Sequence, residues 1–457
     1  MKQSIGRAVA LLFVSLFLLG AGFQFLAYWH MSKPGYVALG ILLAAATLWI
    51  TEAVPLFVTS LMVLFLSLVW LVPVMRTEGI EIAESEFLSP FFSDIILLFL
   101  GGFVLSAALH RQHIDELLAR WIIRKTGTSV PKLMLGVMAI TAFLSMWLSN
   151  TAAAAMMLTL VLPIALKLPE TDRSRKALIL AIPFAANIGG LGTPIGSPPN
   201  AIAMQYLQQV DLNPGFGMWM LVGVPGVIGM LALSWVVLLT MFRGSSSRIA
   251  LESEPIDAPP TGMAAVVVVT TIVTVGGWIT TAWHGYSSGT VAMIPLLVFF
   301  STGLLNVQDL RSLSWDVLLL MGGGLCLGTI IAESGLASWM IGLLPVDGLS
   351  AFALMIAFGG IACFMSSVMS NTATANLIMP IILGVSVEPL SPLLIGTAFA
   401  CTLAMPLPVS TPPNAMAFSS EQLSVSDMVA PGIFLTIIGV TLAFTTGYWW
   451  WDLVGLF

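Results

Sequence analysis

The stretch that decides the fold is Phe143-Leu144-Ser145-Met146-Trp147-Leu148-Ser149-Asn150-Thr151-Ala152, in which a polar Ser-Asn-Thr triplet interrupts an apolar run. A second copy reads Phe364-Met365-Ser366-Ser367-Val368-Met369-Ser370-Asn371-Thr372-Ala373, so the two triplets begin 221 residues apart (370 − 149). Hydroxyl and amide side chains inside apolar segments indicate broken helices with exposed backbone. In a membrane such backbone persists only where protein or a water-filled cavity covers it.

Each copy is followed by a second matching phrase. The first is Gly192-Thr193-Pro194-Ile195-Gly196-Ser197-Pro198-Pro199-Asn200, and the second is Pro406-Leu407-Pro408-Val409-Ser410-Thr411-Pro412-Pro413-Asn414. The two asparagines that end these phrases lie 214 residues apart (414 − 200), which a duplicated unit with changed loop lengths explains. Two breaks that recur in corresponding positions of both halves are typical of the binding site of a secondary transporter.

The composition indicates a membrane protein. The chain has 457 residues, of which 58% are hydrophobic and 8% are charged, whereas soluble proteins carry about 25% charged residues. The first apolar run, residues 8–29, is long enough to span a bilayer and lacks a cleavage pattern, so it is predicted to be a retained helix. No basic arm or patch indicates a nucleic-acid partner.

Apolar segments predict an all-α polytopic membrane protein with eleven crossings. Residues 131–166 and 349–384 are predicted to be re-entrant hairpins, and residues 177–208 and 390–420 are predicted to be interrupted helices. Each hairpin has about 36 residues, so its length would also allow two full spans with the same topology; re-entrant legs are favoured because the triplets lack the loop residues of a turn in water. The amphipathic stretch 111–125 is predicted to be an interfacial helix. The other predicted spans are 8–29, 36–51, 54–74, 92–110, 216–242, 262–282, 288–305, 314–331 and 429–450.

The distribution of basic residues predicts the topology. With the N-terminus inside and the C-terminus outside, fourteen of the 16 Lys and Arg residues fall on the inner face, and only Lys33 and Arg76 fall on the outer face. This bias is the one found in membrane proteins. The same arrangement places the two hairpins on opposite faces, as an inverted repeat requires.

The motifs suit an anion that binds together with a cation. They contain no Arg, Lys or His to balance an anion near the bilayer midplane, where an unpaired charge is very costly. Helix N-termini, hydroxyls and amides can orient a carboxylate, and a co-bound cation would balance its charge. The motifs also lack Asp and Glu, which disfavours proton coupling. Na⁺ fits the exposed carbonyls and the Ser and Asn oxygens.

At these residues the sequence resembles the divalent anion/sodium symporter family, over essentially the whole chain. Thr51-Glu52-Ala53-Val54-Pro55 also resembles an early phrase of that family. The resemblance implies a homodimer in the bacterial inner membrane, with a scaffold part and a transport part that moves as an elevator. It divides the chain into first-repeat scaffold and interfacial helices (1–125), first-repeat transport elements (126–242), a linker (243–260), second-repeat scaffold helices (261–345) and second-repeat transport elements (346–457).

The resemblance also implies the site residues. One sodium site would use Ser145, Ser149, Asn150 and the Gly196 carbonyl, and the other would use Ser366, Ser370, Asn371 and the Ser410 carbonyl. The substrate would meet Asn150, Thr151, Ser197 and Pro198 from one half, and Asn371, Thr372, Thr411 and Pro412 from the other.

The sequence therefore predicts a sodium-coupled symporter for C4-dicarboxylates such as succinate, malate or fumarate. The linker is too short for the soluble insertion of many sulfate-type members, which favours dicarboxylates, although citrate and sulfate remain open as substrates. A sodium-independent exchanger of di- or tricarboxylates is an alternative mechanism. An intramembrane serine hydrolase is disfavoured because all four histidines lie at segment ends, away from the motif serines.

Overall fold

The computed structural model of the protein describes residues 2–22, 31–246, 248–249, 262–343, 349–385 and 388–457. Within these ranges the chain is helical, and extended pairing is limited to one isolated bridge between Ser129 and Arg248. Seven continuous helical segments of the described residues are long and apolar enough to cross a bilayer, three of them joining two of the helices named below, and several shorter helices are also apolar. The prediction of an all-α polytopic membrane protein is confirmed, and the number of crossings stays a prediction.

The first half contains twelve α-helices within the described residues. They are α1 (Lys2–Gly22), α2 (Lys33–Thr51), α3 (Leu56–Leu66), α4 (Val72–Thr77), α5 (Ser85–Leu88), α6 (Asp94–Arg111), α7 (Ile114–Thr126), α8 (Val130–Ser145), α9 (Asn150–Ala165), α10 (Ser174–Gly189), α11 (Pro198–Gln209) and α12 (Gly215–Met241). A π-helical turn, Ser67–Leu71, joins α3 to α4, and a 3₁₀ turn, Ser89–Phe92, follows α5.

The described part of the second half adds twelve more. They are α13 (Met263–Ile279), α14 (Thr281–His284), α15 (Ser288–Ser301), α16 (Val307–Arg311), α17 (Trp315–Glu333), α18 (Leu336–Leu343), α19 (Ala351–Val368), α20 (Asn371–Leu383), α21 (Ser391–Leu403), α22 (Pro412–Phe418), α23 (Val425–Leu442) and α24 (Tyr448–Leu453). The short helices α14, α16 and α18 were not predicted. Most of the predicted linker, residues 247 and 250–260, lies outside the described residues.

The helix breaks lie at the motifs. Four residues, 146–149, separate α8 from α9, and two residues, 369–370, separate α19 from α20. The Ser149 hydroxyl caps α9 by accepting a hydrogen bond from the Ala152 N–H at 3.2 Å. The second phrases form the gaps 190–197 and 404–411, and a Pro-Pro pair begins α11 and α22 because proline is well tolerated in the first turn of a helix.

The predicted interfacial helix begins three residues later than the sequence indicated. Helix α6 continues to Arg111, and His113 adopts a left-handed conformation (φ +54°) before α7 begins at Ile114. The guanidinium of Arg111 binds both carboxylate oxygens of Asp309, at 2.8 and 3.0 Å. This ion pair ties the end of α6 to α16 in the second half.

Each interrupted helix packs against elements of the other half. Helix α11 contacts α20 and α21, and α22 contacts α9 and α10. Close helix contacts rely on glycine: at Gly189 of α10, a Cβ would overlap the carbonyl oxygen of Ala142 in α8. The two halves therefore meet around the four breaks, where the motif residues converge.

We predict that Gly189→Ala lowers the thermal unfolding temperature of the purified protein, because the added methyl group must push α8 and α10 apart. Overpacking of this kind costs about 1–3 kcal/mol. Gly226→Ala in α12 is the matched control, since no heavy atom lies within 4 Å of a Cβ built there. An equal unfolding temperature for both variants, measured by tryptophan fluorescence, would contradict the close contact.

Candidate functional site

The first half gathers oxygen atoms around Ser145. Its hydroxyl oxygen lies 2.5 Å from the side-chain amide of Asn150, and it donates to the carbonyl oxygen of Ala186 at 2.7 Å. Ser145 is fully buried, and Asn150 is partly buried. The end of α8, the start of α9 and the last turn of α10 therefore meet at one point.

The Asn150 side-chain amide satisfies its surroundings with Nδ2 toward the break, where it donates to the Gly196 carbonyl oxygen at 3.0 Å and to that of Ala186 at 3.2 Å. Rotation of the amide by half a turn would place Oδ1 at the same position, facing two carbonyl acceptors. An oxygen at that position is favourable when a cation lies among these acceptors.

The second half repeats this arrangement. The Ser366 hydroxyl lies 2.7 Å from Asn371 Oδ1 and donates to the Cys401 carbonyl oxygen at 3.0 Å. The Ser410 hydroxyl donates to the Ser367 carbonyl oxygen at 2.7 Å and thereby holds the second break against the hairpin. The duplication seen in the sequence thus extends to the hydrogen bonds.

Two buried asparagines close the breaks of the interrupted helices. Asn200 Nδ2 donates to the carbonyls of Gly190 and Thr193 at 2.7 and 2.8 Å. Asn414 Nδ2 donates to the carbonyls of Met405 and Leu407 at 3.0 and 2.9 Å. Buried carbonyls that a helix no longer satisfies need such partners.

Polar contacts also cross between the halves. Asn187 Nδ2 in α10 donates to Thr411 Oγ1 at 3.0 Å and to Asn414 Oδ1 at 3.1 Å. The hydroxyls of Ser197 and Thr402 lie 3.1 Å apart. All five side chains are buried. The sequence analysis did not single out Asn187, although a lone amide in the apolar run Phe184-Ala185-Ala186-Asn187-Ile188 was a usable signal.

The other predicted residues lie at the helix starts beside these clusters. Ser370, Ser197 and Thr411 are the N-cap residues of α20, α11 and α22. Thr151 and Thr372 are the second residues of α9 and α20, while Pro198 and Pro412 are the first residues of α11 and α22. Thr372 is buried, and Thr151 and Pro412 are exposed.

The Pro-Pro pairs change which helix ends can bind an anion. Proline has no N–H, so α11 and α22 lack the first two of the free amides that a helix start usually offers. Helices α9 and α20 keep these amides at Asn150, Thr151, Asn371 and Thr372. The free backbone N–H groups of these four helix starts therefore lie mainly at the starts of α9 and α20.

No basic side chain takes part in these hydrogen-bonded clusters within the described residues. Arg175 is buried, but it lies fourteen residues before Gly189 on α10, which is about 21 Å along a helix. Lys176 pairs with Asp427 at 2.7 Å near the same helix end. The clusters are thus neutral, as the sequence indicated.

Comparisons with known proteins point to transporters. The model of a citrate transporter family matches residues 46–389. The sodium-dependent dicarboxylate transporter SdcS of Staphylococcus saprophyticus is 34% identical over 90% of this chain and 85% of its own length. The protein of the same name from Staphylococcus aureus is 35% identical over 91% of this chain and 86% of its own length.

Two solved structures have a similar fold. The YdaH transporter of Alcanivorax borkumensis superposes with a TM-score of 0.58 at 13% identity, covering 87% of this chain and 98% of that chain. MtrF of Neisseria gonorrhoeae gives a TM-score of 0.50 at 11% identity, covering 79% and 83%. At this identity the likeness concerns the fold alone.

We predict that Asn414→Leu destabilises the protein more than Asn200→Leu. Each variant leaves two break carbonyls without a donor, but only the loss of Asn414 also removes one of the two acceptors of the Asn187 amide, the other being Thr411 Oγ1. One additional unpaired buried group costs about 1–3 kcal/mol. Thermal unfolding of both variants in the same detergent tests this, and an equal loss would contradict the asymmetry of the two breaks.

Proposed function

Because the chain belongs to the citrate transporter family, we propose that it is a sodium-coupled symporter that imports C4-dicarboxylates such as succinate, malate or fumarate. It is a multi-pass membrane transporter, and family membership sets aside the hydrolase hypothesis. Its similarity to two sodium-dependent dicarboxylate transporters supports both the cation and the substrate class.

The observation that carries this proposal is the duplicated oxygen cluster. Ser145 with Asn150 and Ser366 with Asn371 each meet a carbonyl that a broken helix exposes. Neutral oxygens of this kind are the ligands that hard cations such as Na⁺ use in broken transporter helices. We assign one sodium ion to Ser145, Ser149, Asn150 and Gly196, and another to Ser366, Ser370, Asn371 and Ser410.

The substrate would lie between the two sodium sites. We propose that the hairpin-tip amides and the side chains of Asn150, Thr151, Asn371 and Thr372 orient its carboxylates, together with Ser197, Pro198, Thr411 and Pro412. None of these groups carries a charge. The two sodium ions would supply the positive charge that a dianion needs in a low-dielectric site.

We further propose that transport proceeds as an elevator in a homodimer. The proposed moving elements meet the proposed scaffold at α17, where a Cβ at Gly324 would overlap Asn376 of α20 and one at Gly328 would overlap Tyr206 of α11. Such small residues let helix backbones approach closely and leave few side chains to interlock. The N-terminus would lie on the inside of the bacterial inner membrane and the C-terminus outside.

The test is uptake of labelled succinate into proteoliposomes. We expect uptake to require an inward Na⁺ gradient and to fall to background when K⁺ replaces Na⁺. Equal uptake in both salts would contradict sodium coupling and favour the exchanger. Competition by citrate would point to the substrate for which the matching family model is named, and competition by sulfate would point to a sulfate-type symporter.

Ser145→Ala is expected to raise the half-saturating Na⁺ concentration about tenfold or more, the size of effect seen when support of a metal site is removed. Thr141→Val is the matched control, because Thr141 lies one turn earlier on α8 and its hydroxyl bonds only the Val137 carbonyl of the same helix. The same half-saturating concentration in both variants would argue against a cation at Ser145.

Uptake is expected to follow the dianion fraction of the substrate, since the described clusters contain no side chain that titrates between pH 5 and 8. Two dicarboxylates with different second pKa values should therefore give pH profiles displaced from each other by that difference. Uptake at a fixed dianion concentration should stay constant. One common profile for both substrates would show that a protein group titrates instead.

A further inference from the structure

Asn187 and Thr402 occupy corresponding positions in the two halves, 215 residues apart (402 − 187). Each contacts the N-cap hydroxyl of the interrupted helix in the other half: Asn187 binds Thr411, and Thr402 binds Ser197. The geometry is therefore repeated, but an amide stands on one side and a hydroxyl on the other. This difference decides where the hydrogen atoms of the two N-cap hydroxyls point.

The Thr411 hydroxyl accepts two hydrogen bonds. Asn187 Nδ2 donates to its oxygen at 3.0 Å, and the Asn414 backbone N–H donates to it at 3.4 Å. A hydroxyl has two acceptor lone pairs and one hydrogen. With both lone pairs engaged, the hydrogen of Thr411 is available to an acceptor at the site.

The Ser197 hydroxyl is in the opposite situation. Thr402 Oγ1 lies 3.0 Å from the Ala398 carbonyl oxygen, which can only accept, so the single hydrogen of Thr402 is committed to that carbonyl. In the 3.1 Å contact between the two hydroxyls Ser197 must then be the donor. Its own hydrogen is used, and its oxygen offers only a lone pair.

We propose that Asn187 and Thr402 are positioning residues that give the two halves of the site opposite hydrogen-bonding polarity. Thr411 donates its hydroxyl hydrogen to a carboxylate oxygen of the dicarboxylate, while the Ser197 oxygen accepts from a donor or faces Na⁺. This inference rests on the proposed transport function. The proposed polarity predicts that the Thr411 hydroxyl contributes to the affinity for the anion, whereas the Ser197 hydroxyl does not donate to it.

A second difference between the halves agrees with this asymmetry. Asn414 Oδ1 accepts from Asn187 at 3.1 Å, whereas Asn200 Oδ1, its counterpart, is buried and has no hydrogen-bond partner. The amide at position 187 thus satisfies two groups of the second half. The hydroxyl of Thr402 gives no such donor to the first half.

The test is Asn187→Thr, which copies the residue of the other half. The new hydroxyl would donate to the Pro183 carbonyl one turn earlier, as Thr402 does to Ala398. Its oxygen would then accept a hydrogen bond from the Thr411 hydroxyl, whose hydrogen would no longer be available to the substrate. We expect the KM for succinate at saturating Na⁺ to rise about tenfold with little change in the maximal rate, as for loss of a hydrogen bond to a charged group. The matched control is Thr397→Val on α21, whose buried hydroxyl has no hydrogen-bond partner, so this variant should not raise KM.

A double-mutant cycle separates this role from a structural one. In a Thr411→Val background, Asn187→Thr should cause no further rise in KM, because valine lacks the hydroxyl hydrogen that Asn187→Thr would turn away from the substrate. An equal rise in both backgrounds, or an equal rise in Thr397→Val, would overturn the inference. Thermal unfolding of every variant shows whether it folds as the wild type does. Asn187→Ser introduces a smaller hydroxyl side chain and replaces Asn187→Thr in the cycle if the latter does not fold. Absence of sodium-dependent succinate uptake in the wild type would overturn the proposed function itself, whereas wild-type uptake with an unchanged Asn187→Thr would overturn this inference alone.

Discussion

The structure depends on one constraint, which is that backbone carbonyls freed by a broken helix inside a membrane must find donors within the protein. Asn200 and Asn414 meet this need by donating to two carbonyls each. Once the breaks are closed in this way, the N-cap residues Ser197 and Thr411 are held at fixed positions. The hairpin tips then pack against the breaks through Ser145 and Ser366.

The low dielectric of the membrane also explains why the candidate site is neutral. A charged side chain would satisfy a dianion but would be left unpaired whenever the anion departs, at a high cost in low dielectric. In the proposed function, cations that arrive and leave with the substrate would avoid this cost. The prolines that begin α11 and α22 remove two backbone donors from each helix start, so the free backbone donors lie mainly at the starts of α9 and α20.

Local sequence was enough to predict the long apolar helices and the breaks, because each of these follows from the apolar pattern and from Ser, Asn, Gly and Pro within it. The short helices α14, α16 and α18 were missed. The division into scaffold and transport parts and the roles of the site residues stay predictions. The contacts of Asn187 and Thr402 could not be predicted, since they join residues 224 and 205 positions apart in the chain. Helix α7 begins later than predicted because α6 continues to Arg111, whose guanidinium pairs with Asp309 of the other half.

The presence of Asn187 in one half and Thr402 at the corresponding position of the other half has an evolutionary consequence. If the two halves were separate copies of one gene product, both positions would necessarily carry the same amino acid, and a change on one side would be imposed on the other. Fusion into a single chain removes that obligation, so natural selection can alter one half while the other is preserved. A duplicated transporter can in this way specialise its two sides for different ligands while it keeps the shared architecture of its ancestor.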